Sequence, residues 1–321
     1  MLQRYRCRRR PVGRPDIARP LRLPLELDSR LIALHIRHTT RYTFHRPVLF
    51  GPHRLMLRPR ESRDLRILSN EIEISPTANL TWAHDVSGNA VATATFAESA
   101  DHLVIESRTA LELSAAAWPV FDIAASALSF PFRYADEEWT DLGALAMQQF
   151  PDPSGQLQAW AQGFVRGPST DTLSLLKDMS AGVSQGIDYR SRDEEGTQTP
   201  TETLDLRQGS CRDFAVLFAE AVRSLGFGAR LVSGYLYNPD ASLTGSADAG
   251  STHAWAEVFV PGAGWITFDP TNRSMGGFNL IPVALVRDLR QASPIAGSFI
   301  GGQDAFRELA VEVSVTSTAS T

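Results

Sequence analysis

Gly209-Ser210-Cys211-Arg212-Asp213-Phe214-Ala215-Val216-Leu217-Phe218-Ala219-Glu220-Ala221-Val222-Arg223-Ser224-Leu225-Gly226 is the stretch on which the fold turns. Phe214, Leu217, Phe218, Ala221, Val222 and Leu225 recur at the three- and four-residue steps of one helix face, and Gly226 stops the pattern. The spacing predicts an amphipathic helix with Cys211 in its first turn. Free N–H groups and the positive end of the helix dipole favour thiolate over thiol there, the condition a nucleophilic cysteine needs. A single cysteine is more often a small core hydrophobe than a nucleophile, so its companions along the chain decide.

Downstream, Leu231 to Tyr237 reads as a strand, and a Gly, Ser and Asp-rich loop from Asn238 to Thr252 leads into a hairpin. His253, Trp255, Glu257 and Phe259 alternate with Ala254, Ala256, Val258 and Val260; Pro261 to Gly264 turns; Trp265 to Asp269 returns and stops at Pro270. His253 and Asp269 therefore lie near the same end of one hairpin. An imidazole there can take the proton of a thiol, and a carboxylate beyond it can hold the imidazole in register. Parity sets a condition. A plain four-residue loop pairs Val260 with Trp265 and puts His253 and Asp269 on opposite faces, so the pair requires an odd-numbered loop or a bulge between Trp255 and Thr267. Gly262 and Gly264 supply the left-handed conformation such a turn needs.

Upstream, Leu34 to Leu113 alternates with period two in short runs parted by Gly, Pro, Asn and Asp. Leu34, Ile36, His38, Thr40, Tyr42 and Phe44 share one face of the first run. The pattern predicts an antiparallel, sandwich-like β domain over residues 34–115. Six of the seven histidines fall in it, with no carboxylate or cysteine cluster at ligand spacing, so no metal is expected. Residues 116–169 form a connector too rich in aromatics to be a free linker. Residues 1–33 read as a disordered Arg/Pro-rich tail, and residues 288–321 as a C-terminal strand and tail.

The whole chain has 321 residues, 43% of them hydrophobic, and a formal charge of −5. That balance is a soluble globular one and argues against nucleic acid as a partner. No apolar run is long enough for a membrane span, and no signal-peptide core follows the N-terminal arginines, so the expectation is a cytoplasmic protein without membrane partners. Two cysteines, Cys7 and Cys211, exclude a disulfide framework.

Thr197-Gln198-Thr199-Pro200, Gly209 to Ala215, Val232 to Leu236, Thr252 to Val258 and Gly264 to Thr271, in that order, resemble the transglutaminase-like cysteine enzymes, in particular bacterial members with an added N-terminal β domain. The resemblance implies an α+β fold: a papain-like transglutaminase core over residues 170–287, preceded by the antiparallel β-sandwich-like domain. It implies Cys211 as nucleophile, His253 as general base and Asp269 as the residue that orients it. Gln198 is the side-chain candidate for the oxyanion, with Gln208 and Tyr189 as rivals, beside the Cys211 N–H. Trp255 and Trp265 are candidate walls of a substrate groove, or core. The function so implied is acyl transfer on a peptide, protein or carboxamide substrate through a thioester, ending in hydrolysis or transamidation, with no cofactor. A non-catalytic binding or scaffold protein on the same fold is the alternative. Calcium dependence, acyl acceptor and oligomeric state are not legible in the sequence.

Overall fold

The computed structural model describes residues 31–116, 119–192, 196–239, 242–244, 250–302 and 304–317. Most of the expected tail, residues 1–30 with Cys7, lies outside them. In chain order the longer strands are β1 (Ile32–Phe50), β2 (His53–Leu55), β3 (Leu65–Ser75), β4 (Ala78–His84), β5 (Ala90–Phe96) and β6 (Ala100–Leu113). The helices α1 (Asp136–Leu142), α2 (Gln156–Gln162), α3 (Thr172–Gly186), α4 (Pro200–Leu206) and α5 (Cys211–Ser224) follow. Then come β7 (Ala229–Tyr237), β8 (Gly250–Val260), β9 (Gly264–Asp269), β10 (Leu280–Val286) and β11 (Phe306–Ser317).

One sheet of the N-terminal domain runs β11-β1-β6-β3, and the other places β5 between β2 and β4. Between them, Phe44, Val48, Phe50, Leu55, Leu57, Ala92, Ala94, Leu103 and Ile105 are buried together with Ala305. The sandwich therefore uses both ends of the chain. Ile295 pairs with Leu55, and β11 pairs with β1 from Leu34 opposite Ser317 to Phe44 opposite Phe306. Residues 295–300 and 306–317 pair with strands of the sandwich, because β1 has a second edge whose N–H and C=O groups need a partner, whereas Leu289 and Ala292 belong to the core of the second domain. The 19-residue β1 is about 60 Å long, enough to serve two cores. Its far half closes the sandwich; at its near half Leu34 and Ile36 pack, with Leu111 and Val315, on Tyr235, Tyr237, Ile281 and Val283 of the second domain.

That second domain is an antiparallel sheet ordered β9-β8-β7-β10, with α5 lying on one face. Even-numbered Ala254, Ala256 and Val258 of β8 join Ile266 and Phe268 of β9 and Phe214, Leu217, Phe218, Ala221 and Val222 of α5 in the main core. The helix is closed by a left-handed Gly226, with the Phe227 N–H reaching the Val222 carbonyl at 3.0 Å. It is buried nearly all round, which its one-sided apolar stripe does not announce. The difference is made by Glu220 and Arg223, an ion pair with both side chains at most 1% exposed. Glu220 accepts the N–H groups of Gln149 and Phe150, and Arg223 donates to the carbonyls of Leu145, Ala229 and Arg287. The connector is likewise part of this core, through Leu157 and Ala161 of α2.

Candidate active site

The first turn of α5 is held from outside. Asp213 is fully buried, and its carboxylate accepts the Ser210 N–H at 2.8 Å, the Ser210 hydroxyl at 2.8 Å and the Gln198 N–H at 2.7 Å. Arg192 Nε stands 3.6 Å from the same carboxylate. Cys211 is thus presented half-buried at the first helical position, where its own N–H has no intrahelical acceptor.

The hairpin meets the parity condition. Val260 pairs with Gly264 and Phe259 with Trp265, leaving the three-residue loop Pro261 to Ala263 in place of the plain four-residue one. Gly262 and Gly264 sit at φ 82° and 73°, a conformation in which a Cβ would be strained. His253 and Asp269 consequently share a face, and His253 Nε2 lies 2.9 Å from Asp269 Oδ2. Their side chains are at most 1% exposed. Asp269 Oδ1 accepts the N–H groups of Thr271 (3.0 Å) and Asn272 (3.3 Å), and Oδ2 also accepts Asn272 Nδ2–H at 2.8 Å. His253 Nδ1 is buried without a hydrogen-bond partner, and the Cys211 thiol stands close enough to the ring for each to shift the other's ionisation.

Trp255 stacks on the His253 ring at 6.2 Å between centroids and 26° between planes. At 1% exposure it is a backing, not a groove wall. Gly234 pairs with His253 across the ladder, and a Cβ there would come within 2.1 Å of the Ile281 carbonyl and 2.8 Å of the Trp255 ring. Trp265 is four residues from Asp269 along β9, about 13 Å. It packs on Phe259 beneath the Arg230 guanidinium, 4.1 Å from the ring centre, and so lies away from Asp269. Gln198 Oε1 accepts from the Thr203 hydroxyl at 3.0 Å, tying it to α4. Of its rivals, Gln208 pairs with Asp188, and Tyr189 pairs with Gly209 with its ring edge-on to Phe214.

Charge follows geometry. Burial pushes the Cys211 thiol up, but the hydrogen bond and charge of His253 and the Ala254 N–H outweigh it, and the thiol ends below its ordinary value. Burial pushes His253 down, and the Asp269 charge and hydrogen bond, with the thiolate, reverse this and lift it to about 10. Asp269 is raised by burial and brought below the ordinary carboxylate range by His253 and Asn272. Each shift runs toward the charged form of its group: thiolate, imidazolium and carboxylate. Tyr189 is pushed up to about 12 by burial and then by the Cys211 charge. Sequence reasoning assigned no functional role to Asp213 or Asn272, and it quoted Gly234 only within the Val232 to Leu236 piece. For Asn272 a signal existed: Asp269-Pro270-Thr271-Asn272 is a turn sequence in which an Asx carboxylate caps the N–H groups that follow. Among the described residues no cluster of His, Cys, Asp or Glu is fit to hold a metal, and no helix is long and apolar enough to cross a membrane.

Residues 34–112 match the bacterial transglutaminase-like N-terminal region, and residues 158–270 the transglutaminase-like superfamily. An uncharacterized protein of Mycobacterium tuberculosis is 27% identical over 292 residues, which cover 86% of this chain and 90% of its own. A protein-glutamine gamma-glutamyltransferase of Pseudomonas aeruginosa is 34% identical over 94 residues, 28% of this chain and 13% of its own. A solved structure from Cytophaga hutchinsonii, described as a candidate cysteine protease, shares the fold at a TM-score of 0.66 and 19% identity, covering 91% of this chain and 93% of that one. With both regions matched in order along one chain, this is a transglutaminase-like protein of the bacterial kind that carries its own N-terminal β region.

Proposed function

We propose that the protein is a cysteine-dependent acyl-transfer enzyme acting on peptide or carboxamide substrates. The observation that carries this is the buried His253–Asp269 pair, Nε2 and Oδ2 2.9 Å apart, beside a Cys211 thiol that the His253 charge draws below its ordinary value. In the reading, Cys211 Sγ attacks the carbonyl carbon and forms a C–S bond as the carbonyl oxygen takes up charge beside the Cys211 N–H, with the Gln198 amide as candidate second donor. The tetrahedral species collapses as the C–N bond breaks, and the His253 imidazolium gives its proton to the departing amine or ammonia. His253 then takes a proton from water or from an acceptor amine, whose attack on the thioester returns the thiolate and leaves an acid or a new amide. Asp269 keeps the imidazole oriented and its cationic form stable throughout.

The test is a screen of glutamine-containing peptides and simple peptide amides, with and without an added primary amine, comparing the wild-type protein with Cys211→Ala. Ammonia release or chain cleavage that disappears in the variant supports the reading, and incorporation of the amine separates transamidation from hydrolysis. No turnover of any substrate, together with a Cys211 inert to iodoacetamide at neutral pH, would leave a binding module on an acyl-transfer fold.

A further inference from the structure

The polar groups around Asp269 do not end at the triad. Asn272 donates its Nδ2–H to Asp269 Oδ2, the oxygen that His253 also uses, at 2.8 Å. Its Oδ1 accepts the Thr244 N–H at 2.9 Å. The two ends of one planar amide therefore face the triad carboxylate and the segment between β7 and β8. That segment is itself built. Asn238, 1% exposed, accepts the N–H groups of Ser242 and Leu243, and the Leu243 side chain packs on the cluster of Val232, Leu236 and Trp255, the ring that backs His253. An amide cannot turn over without presenting a donor to a donor at one end and an acceptor to an acceptor at the other, so its orientation is locked only while both partners are in place.

We propose that Asn272 is a positioning residue that joins the Asp269 carboxylate to the Ser242-Leu243-Thr244 segment, so that docking of the segment and alignment of the triad stand or fall together. The inference rests on the proposed acyl-transfer reading only for its rate consequence; the link itself is a matter of hydrogen bonds. A substrate that seats against the segment would thereby tighten the carboxylate that orients His253. The ionisable groups that act on the His253–Asp269 pair are Cys211 from α5 and Tyr189 from the segment before α4, and Arg212 and Asp213 act in turn on Tyr189. Arg273, next in sequence to Asn272, is turned to Ser184 of α3.

Two substitutions separate the two ends. Asn272→Ala removes both bonds. Asn272→Asp keeps an acceptor for the Thr244 N–H but sets a second carboxylate at hydrogen-bond distance from Asp269, and two such carboxylates share a proton. Hydrogen exchange reads the segment, and the pH profile of Cys211 alkylation by iodoacetamide reads the triad. In Asn272→Ala, amide protection at Leu243 and Thr244 should be lost while that of α5 is kept. In Asn272→Asp the protection should remain, and alkylation should show an ionisation absent from the wild type, above the ordinary carboxylate range. Above that ionisation the rate should be slower by about tenfold, and below it, where the shared proton restores the bond, the wild-type rate should return. Unchanged protection in the alanine variant overturns the proposal, as does an aspartate variant whose profile runs parallel to the wild type. Failure of the acyl-transfer reading looks different: the wild-type thiol itself would then be slow at pH 6, with the exchange result intact.

Discussion

Replacing His253 by Gln removes the cation that holds the Cys211 thiolate while keeping a polar side chain on the strand. The thiol then loses the hydrogen bond and charge that oppose its burial and returns at least to its ordinary value of 9.0. At pH 6 a thiol of that kind is about one part in a thousand thiolate, whereas in the wild type His253, protonated to about pH 10, draws the thiol below its ordinary value and raises the thiolate share. A thiolate of higher pKa is intrinsically the better nucleophile, which recovers part of that deficit. Alkylation by iodoacetamide, followed by intact mass at pH 6, should therefore slow by about tenfold or more in His253→Gln. At pH 10 both thiols are ionised and the rates should converge to within about tenfold. A ratio below about fivefold at pH 6, or the same ratio at both pH values in a folded variant, would refute the ion pair.

Glu220→Ala leaves the Arg223 cation buried without its partner, and chemical denaturation should show a loss of about 3–5 kcal/mol with α5 still formed in the remaining native state. His38, buried where β1 meets Tyr235 with 3.0 Å between Nδ1 and the phenol oxygen, is pushed down by burial to about 4. Because the unfolded chain takes up the proton from 6.5 downward and the folded one does not, the contribution is full above pH 6.5 and is lost as pH falls toward 4. The loss amounts to about 3 kcal/mol, and His38→Gln should flatten that slope in denaturation curves recorded at pH 7 and pH 4.5. Gly234→Ala should cost about 1–3 kcal/mol by overpacking against Ile281 and Trp255, and should slow Cys211 alkylation as the His253 backing shifts; a melting temperature equal to wild type would count against that contact.

The parts of the site legible in the sequence are those that local pattern determines. The stripe from Phe214 to Leu225 marked the helix and put Cys211 in its first turn, and alternation marked the strands that carry His253 and Asp269. Parity required an odd-numbered loop or a bulge, and what is found is the three-residue loop Pro261 to Ala263. What could not be read depends on contacts between segments far apart in the chain. Asp213 gathers Gln198 and Ser210, and Glu220 with Arg223 gathers carbonyls and amides from residues 145 to 287, patterns with no period to detect. Trp255 and Trp265 share a face by alternation, but only the packing of Leu243, Val232 and Leu285 on one and of Phe259 and Arg230 on the other distinguishes their surroundings. The return of residues 295–317 into the N-terminal sandwich was hidden for the same reason, since strand pairing leaves no mark on the partner's sequence.

The central claim is that Cys211 carries an acyl group as a thioester, and trapping that species tests it most directly. The protein would be mixed with p-nitrophenyl acetate or with a glutamine-containing peptide, quenched in acid within the first turnover, and its adduct weighed and mapped. The account predicts one acyl group per chain, on Cys211, discharged by hydroxylamine, absent in Cys211→Ala and formed at least tenfold more slowly in His253→Gln at pH 6. An adduct on another residue, or one that forms equally well in both variants, would contradict it.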